Sequence, residues 1–156
     1  MNNRKYYDYT QVQGFCETLA SRLKNGNFDS VVGVSRGGLI PATIIAECMN
    51  VRELRTMGVR SYQLNGIGKR KDSVLYQSCS PYLVGNVLLI DDISDTGETF
   101  KFLIDHIGRN KNVTSLTTCS LFVRRSSSYI PDYYHTDIVG NDWIVFPWEP
   151  APSPSS

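Results

Sequence analysis

Asp91, Asp92, Asp95, Thr96, Glu98 and Thr99 follow closely on four apolar residues, Val87, Leu88, Leu89 and Ile90. Ionised carboxylates only accept hydrogen bonds, so Asp91 and Asp92 suit the hydroxyls of a ribose. Asp95-Thr96-Gly97-Glu98-Thr99 has the form of a turn that opens a helix, where free N–H groups and the helix dipole favour an anion. Thr96 and Thr99 can add hydroxyl hydrogen bonds to phosphate oxygens, and Gly97 lets the backbone approach closely. A rigid apolar strand followed by such a loop is a cradle for a phosphorylated sugar. The plainer alternative is a strand end at which Asp95 or Thr96 does no more than cap the helix.

Two other stretches carry charge that could meet the same ligand. Ser35-Arg36-Gly37-Gly38 follows an apolar run, and the forked donors of Arg36 match phosphate oxygens. Lys69, Arg70 and Lys71 form a basic run in a polar region containing Asn65, Gly66 and Gly68; the alternative for these is a solvated loop.

The elements that must position these residues alternate in type. Thr10 with Gln13 has the form of a capping box, and Val12, Phe15, Leu19 and Leu23 recur at helical spacing until Asn25-Gly26-Asn27. Strands are expected over 30–34, 54–59, 87–90 and 113–123, and helices over 39–49 and 98–107. Pro41 is tolerated in the first turn of its helix, and Phe100, Leu103, Ile104 and Ile107 share a face of theirs. Residues 60–82 read as an exposed excursion with short strands at most, residues 91–97 as an acidic loop, and the chain after Arg124 as irregular and aromatic. This alternation is that of an α/β fold, a mostly parallel sheet with helices on both faces. Ligands bind such sheets at the carboxyl ends of strands, which is where Ser35-Arg36-Gly37-Gly38, Asp91-Asp92 and Arg124-Arg125 fall.

Composition narrows the class. A chain of 156 residues is one ordinary domain, expected over 1–150 with a frayed tail at 151–156. Sixteen Lys plus Arg against 15 Asp plus Glu give a net charge of +1, without the basic excess of a nucleic-acid binder. No apolar stretch reaches membrane-spanning length, and the polar, aromatic N-terminus lacks a signal-peptide core, so a cytoplasmic location is expected. Cys16, Cys48, Cys79 and Cys119 are far apart with no CxxC pair, so most of them read as buried hydrophobes and none as a zinc ligand. His106 falls on a polar helix face and reads as a surface residue; His135 is assigned no role.

The run from Val87 to Thr99 resembles the phosphoribosyl-pyrophosphate signature of type I phosphoribosyltransferases, and Val32-Gly33-Val34-Ser35-Arg36-Gly37-Gly38-Leu39-Ile40-Pro41 resembles that family's pyrophosphate loop. With Leu121-Phe122-Val123-Arg124 and Asn141-Asp142-Trp143-Ile144-Val145-Phe146-Pro147-Trp148-Glu149, the resemblance is closest to the xanthine-guanine subgroup. It implies a central parallel sheet with a small C-terminal hood and a flexible loop. It implies an Mg²⁺-dependent enzyme that joins the phosphoribosyl group of 5-phosphoribosyl-1-pyrophosphate (PRPP) to a purine base and releases pyrophosphate, acting as a homo-dimer or homo-tetramer. Asp91 and Asp92 would bind the ribose hydroxyls, and the metal directly or through them; Asp95 would be the catalytic proton relay for purine N7. The turn of Asp95, Thr96, Gly97, Glu98 and Thr99 would hold the 5-phosphate, and Ser35, Arg36 and Gly37 the pyrophosphate. Arg36 would also stabilise the departing charge, with Lys69, Arg70 and Lys71 as flexible-loop candidates. Trp143 would stack on the purine, backbone near Ile144 would read its edge, and Arg124 stands where relatives place a lysine against the 6-oxo group. Trp148 lies nearby and reads as core or subunit interface and not as a ligand. The competing functions are a regulator that binds PRPP without turnover, or the same reaction on adenine or a pyrimidine.

Overall fold

Ser30–Ser35 is buried at every position before Ser35, as a parallel strand covered on both faces must be. It is the second of eight strands in a computed structural model that describes residues 3–63 and 71–150. In chain order the elements are β1 (Arg4–Tyr6), α1 (Tyr9–Leu23), β2 (Ser30–Ser35), α2 (Leu39–Cys48), β3 (Leu54–Gln63), β4 (Lys71–Gln77), β5 (Gly85–Ser94), α3 (Glu98–Gly108), β6 (Val113–Arg124), β7 (Tyr133–Ile138) and β8 (Trp143–Val145), with a 3-10 turn at Ser80–Tyr82. Six strands form the central sheet in the order β4-β3-β2-β5-β6-β7, and β1 pairs with β8 apart from it. The sheet is parallel except for β4, which runs antiparallel to β3.

Alternate residues of the central strands feed two cores. Val31, Leu88, Ile90, Cys119 and Leu121 pack with α1 and α2 on one face. Val32, Val34, Val87 and Leu89 pack with Phe100, Leu103 and Ile107 of α3 on the other. The fold is the expected α/β arrangement with helices on both faces, and β2, β5 and β6 end side by side.

Several local expectations change. The capping box belongs to Asp8 and Gln11, two residues before the Thr10 signal: Gln11 N donates to Asp8 Oδ1 at 2.7 Å and Asp8 N to Gln11 Oε1 at 2.9 Å. Asp91, Asp92, Ile93 and Ser94 belong to β5 and not to a loop, because β6 continues alongside them and supplies ladder partners as far as Val123. The 60–82 excursion is largely regular: β3 runs on to Gln63 and β4 returns beside it. Lys71 opens β4, whereas Lys69, Arg70 and the 151–156 tail lie outside the described residues. The stretch after Arg124 yields β7 and β8, and His135 is a β7 residue stacked on Phe15 with centroids 4.2 Å apart. His106 is half-buried, its Nε2 3.0 Å from Ser78 Oγ. Cys16, Cys79 and Cys119 are buried but Cys48 is exposed. Among the described residues no helix is long and apolar enough to cross a membrane.

Candidate active site

Neighbouring strands bring the two charged loops together. β2 and β5 pair through Gly33 and Ile90, so the residues that follow each emerge at the same sheet edge. The contact is intimate: a Cβ added to Gly37 would stand 1.9 Å from Asp92 Oδ2. Only glycine allows the Ser35-Arg36-Gly37 turn to press against that carboxylate. The Ser35–Arg36 peptide bond is cis.

Asp91 and Asp92 are adjacent, and Asp92 N donates to Asp91 Oδ1 at 2.8 Å. Burial holds the Asp91 carboxyl well above the usual carboxylate range, and the charge of Asp92 adds to the effect. Asp92 is also raised, chiefly by burial, with a contribution from the charge of Glu149; hydrogen bonding from Asp91 and backbone amides works against the rise. Glu149 was part of the aromatic C-terminal segment but carried no motif of its own. The turn after β8, in which Phe146 N donates to Glu149 Oε1 at 3.2 Å, brings it here. Arg36, Gly37, Asp92, Trp148 and Glu149 line one cavity of about 480 Å³. Trp148 also stacks flat on the core residue Phe146, 4.6 Å between centroids.

Asp91, Asp92, Asp95, Thr96, Gly97 and Thr99 line a second cavity of about 220 Å³. Gly97 has φ +86°, and a Cβ there would meet Tyr129 N at 2.5 Å, so glycine is required twice over. Among the described residues the amides of Thr96 and Gly97 have no protein acceptor. Glu98 is exposed; its amide donates to Thr96 Oγ1 at 3.3 Å, and its side chain is not part of this cavity's lining. The turn is backed by residues that no motif marked. Ser128 donates to Thr96 O from its amide at 2.9 Å and from its hydroxyl at 2.7 Å. Ser94 Oγ donates to Tyr129 O at 2.8 Å.

Arg124, at the end of β6, donates from Nε to Asp95 Oδ1 and from its terminal nitrogens to Gly140 O (2.7 Å) and Asp142 O (3.1 Å). Three of its five N–H groups are thereby used, and the side chain ties Asp95 to the segment that leads into β8. There Trp143 is 54 % exposed and Ile144 is buried. β1 anchors this hood through its ladder with β8, through Trp143 N donating to Asn3 O at 2.8 Å, and through a Lys5–Asp142 ion pair at 2.7 Å. The structure therefore links Asp95, Arg124 and the Trp143 segment directly, and links Arg36 and Gly37 with Asp92. A larger depression of about 530 Å³, lined by Ser78, His106, Arg109 and Asn110 among others, shares no residue with either cavity.

Residues 6–154 match the family described as phosphoribosyl transferase domain. The chain belongs to this family. Its similarity to individual phosphoribosyltransferases runs nearly end to end. The xanthine-guanine phosphoribosyltransferase of Idiomarina loihiensis is 29% identical over 154 residues, 95% of this chain and 89% of that protein. The enzyme of the same name from Cereibacter sphaeroides is 29% identical over 94% of this chain and 87% of its own. The crystal structure of the purine phosphoribosyltransferase from Pyrococcus horikoshii superposes with a TM-score of 0.85, at 27% identity and 99% coverage of both chains. The fold is thus that of type I phosphoribosyltransferases.

The raised carboxylates make this phosphoribosyltransferase's stability depend on pH. The unfolded Asp titrates near about 4, and folding raises that value for Asp91. Between the two values the folded state binds more protons than the unfolded one, so stability falls as pH rises. The contribution is complete below about pH 4 and is lost as pH climbs through the folded value. With divalent cations chelated, Asp91→Asn is expected to melt above the wild type at neutral pH in a scanning calorimeter. The gap should close as pH falls toward about 4; a gap that does not change with pH would show that burial of this charge is not its cause.

Proposed function

We propose that the protein transfers the 5-phosphoribosyl group of PRPP to N9 of a 6-oxopurine (guanine, xanthine or hypoxanthine), releasing pyrophosphate, as a cytoplasmic purine-salvage enzyme working as a homo-dimer or homo-tetramer. The observation that carries this is the abutment of Asp92 on Gly37. It sets carboxylates for a ribose between an anion cradle at Thr96 and Gly97 and a cationic turn at Arg36, the order of charges along PRPP itself. The names of the similar enzymes support the choice of a purine.

In this reading the bond from the anomeric carbon to pyrophosphate breaks as the bond to purine N9 forms, through an oxocarbenium-like state. Little covalent chemistry falls to the protein, so its residues act by positioning and electrostatics. Asp91 and Asp92 hold the ribose hydroxyls, and the Thr96–Gly97 amides with the Thr99 hydroxyl hold the 5-phosphate. Arg36 meets the charge that develops on the departing pyrophosphate. Asp95 accepts or steers the proton at purine N7, and its tie to Arg124 fixes where that carboxylate points. The two N–H groups left on Arg124 face a 6-oxo acceptor better than a 6-amino donor. The exposed indole of Trp143 offers a face for the purine, beside backbone groups of Ile144. Lys69, Arg70 and Lys71 would close over the substrates and exclude water.

Magnesium fits the donor set, because Asp91, Asp92 and Glu149 present hard oxygen donors. Among the described residues no group of three His, Cys, Asp or Glu side chains forms a ready cage, which suits an ion held largely by phosphates and water. When bound it would neutralise pyrophosphate charge.

Pyrophosphate release should be measured from PRPP and magnesium with guanine, xanthine, hypoxanthine and adenine in turn. Turnover is expected with one or more of the 6-oxopurines and not with adenine. Silence with all four despite PRPP binding would replace this reading with a non-catalytic regulator or with transfer to another base. Asp95→Asn keeps an acceptor for Arg124 and removes the base. Its kcat is expected to fall by on the order of 10²–10³ with circular dichroism unchanged, whereas a loss of less than about threefold would remove Asp95 from the proton path.

A further inference from the structure

The β3–β4 ladder is interrupted beside the pyrophosphate turn. Gly58 pairs with Gln77 and Val59 with Leu75, so Tyr76 is an extra residue on β4 with no partner in the ladder. A bulge of this kind re-aims a side chain. Here it lays the Tyr76 ring across β3, over Gly58: a Cβ on Gly58 would lie 2.2 to 2.6 Å from three atoms of the phenol. Gly58 is in turn the ladder partner of Ser35 on β2. The ring therefore reaches from β4 over β3 to the end of β2, where its hydroxyl donates to Ser35 Oγ at 2.9 Å. The exposed Arg60, two residues beyond Gly58 on β3, places its guanidinium 4.8 Å from the ring centroid and holds the ring by a cation–π contact.

We propose that Tyr76 is a positioning residue for the pyrophosphate turn, one that carries the placement of the β3–β4 hairpin directly to Ser35. Because the phenol is the donor, the Ser35 hydroxyl keeps its own proton for an anion. Because the ring is fixed by the bulge, by Gly58 and by Arg60, it fixes the start of the Ser35-Arg36-Gly37 turn. This rests on the proposed role of that turn as the pyrophosphate subsite, and its effect should be confined to PRPP and pyrophosphate.

The test uses the full chain with Tyr76→Phe, which keeps the ring and removes one hydroxyl. KM for PRPP is expected to rise about tenfold, the scale of one hydrogen bond serving a charged ligand, with KM for the purine and the melting temperature unchanged. Ser35→Ala combined with Tyr76→Phe should be no worse than Ser35→Ala alone, since both remove one interaction. Calorimetric binding of inorganic pyrophosphate with magnesium, without any purine, gives the same answer independently of turnover. About tenfold weaker binding by Tyr76→Phe supports the proposal even if no purine is a substrate. Unchanged pyrophosphate affinity, equal rises in both KM values, or losses from the two substitutions that multiply would each overturn it.

Discussion

Two carboxylates held together at the end of β5, largely out of water, are the constraint around which this fold is arranged. Burial raises both Asp91 and Asp92, the charge of Asp92 adding to the rise at Asp91 and that of Glu149 to the rise at Asp92, and such a pair is tolerated only where something else fixes it. The β5–β6 ladder does so by running past the acids to Ser94, which leaves them on a rigid strand and not on a loop. In the proposed reaction a cation and a polyhydroxyl ligand would offset the cost of keeping them charged, and that cost would return as affinity for the ligand.

The remaining parts of the site are set by that pair. Gly37 is required because Asp92 occupies the space of its missing side chain, and Gly97 because Tyr129 crowds the phosphate turn from behind. Asp95, next along the chain, is not left free. Arg124 grips it from β6 and holds the carbonyls of Gly140 and Asp142 with its other nitrogens, so that in the proposed reaction one guanidinium would serve both the proton relay and the base. The hood itself is built from opposite ends of the chain, β1 lying beside β8.

Much of this was legible in the residues. The apolar runs at Val31–Val34 and Val87–Ile90, the acids after the second and the glycines after the first located two neighbouring strands and the turns beyond them, because burial on both faces and close backbone approach leave unmistakable residue types. What stayed hidden depends on pairing across long sequence separations. Asp91 to Ser94 read as loop because polar residues conceal a strand whose partner lies on β6. β1 is three exposed residues and means nothing until β8 is beside it. Arg124 read as a base-reading cation; its ties to Asp95, Gly140 and Asp142 could be seen only in three dimensions. Ser128, Glu149 and Tyr76 carried no motif, since a backing hydrogen bond or a bulge can be supplied by many sequences.

Calorimetric titration of PRPP into the protein, with magnesium and again with divalent cations chelated, tests the central claim most directly. If Asp91 and Asp92 hold a ribose whose binding is linked to a cation, PRPP should bind tightly with magnesium and lose most of its affinity on chelation. Asp92→Asn should lose it in both conditions. Equal affinity with and without the metal, or undiminished binding by Asp92→Asn, would contradict the assignment of these carboxylates as the centre of the site.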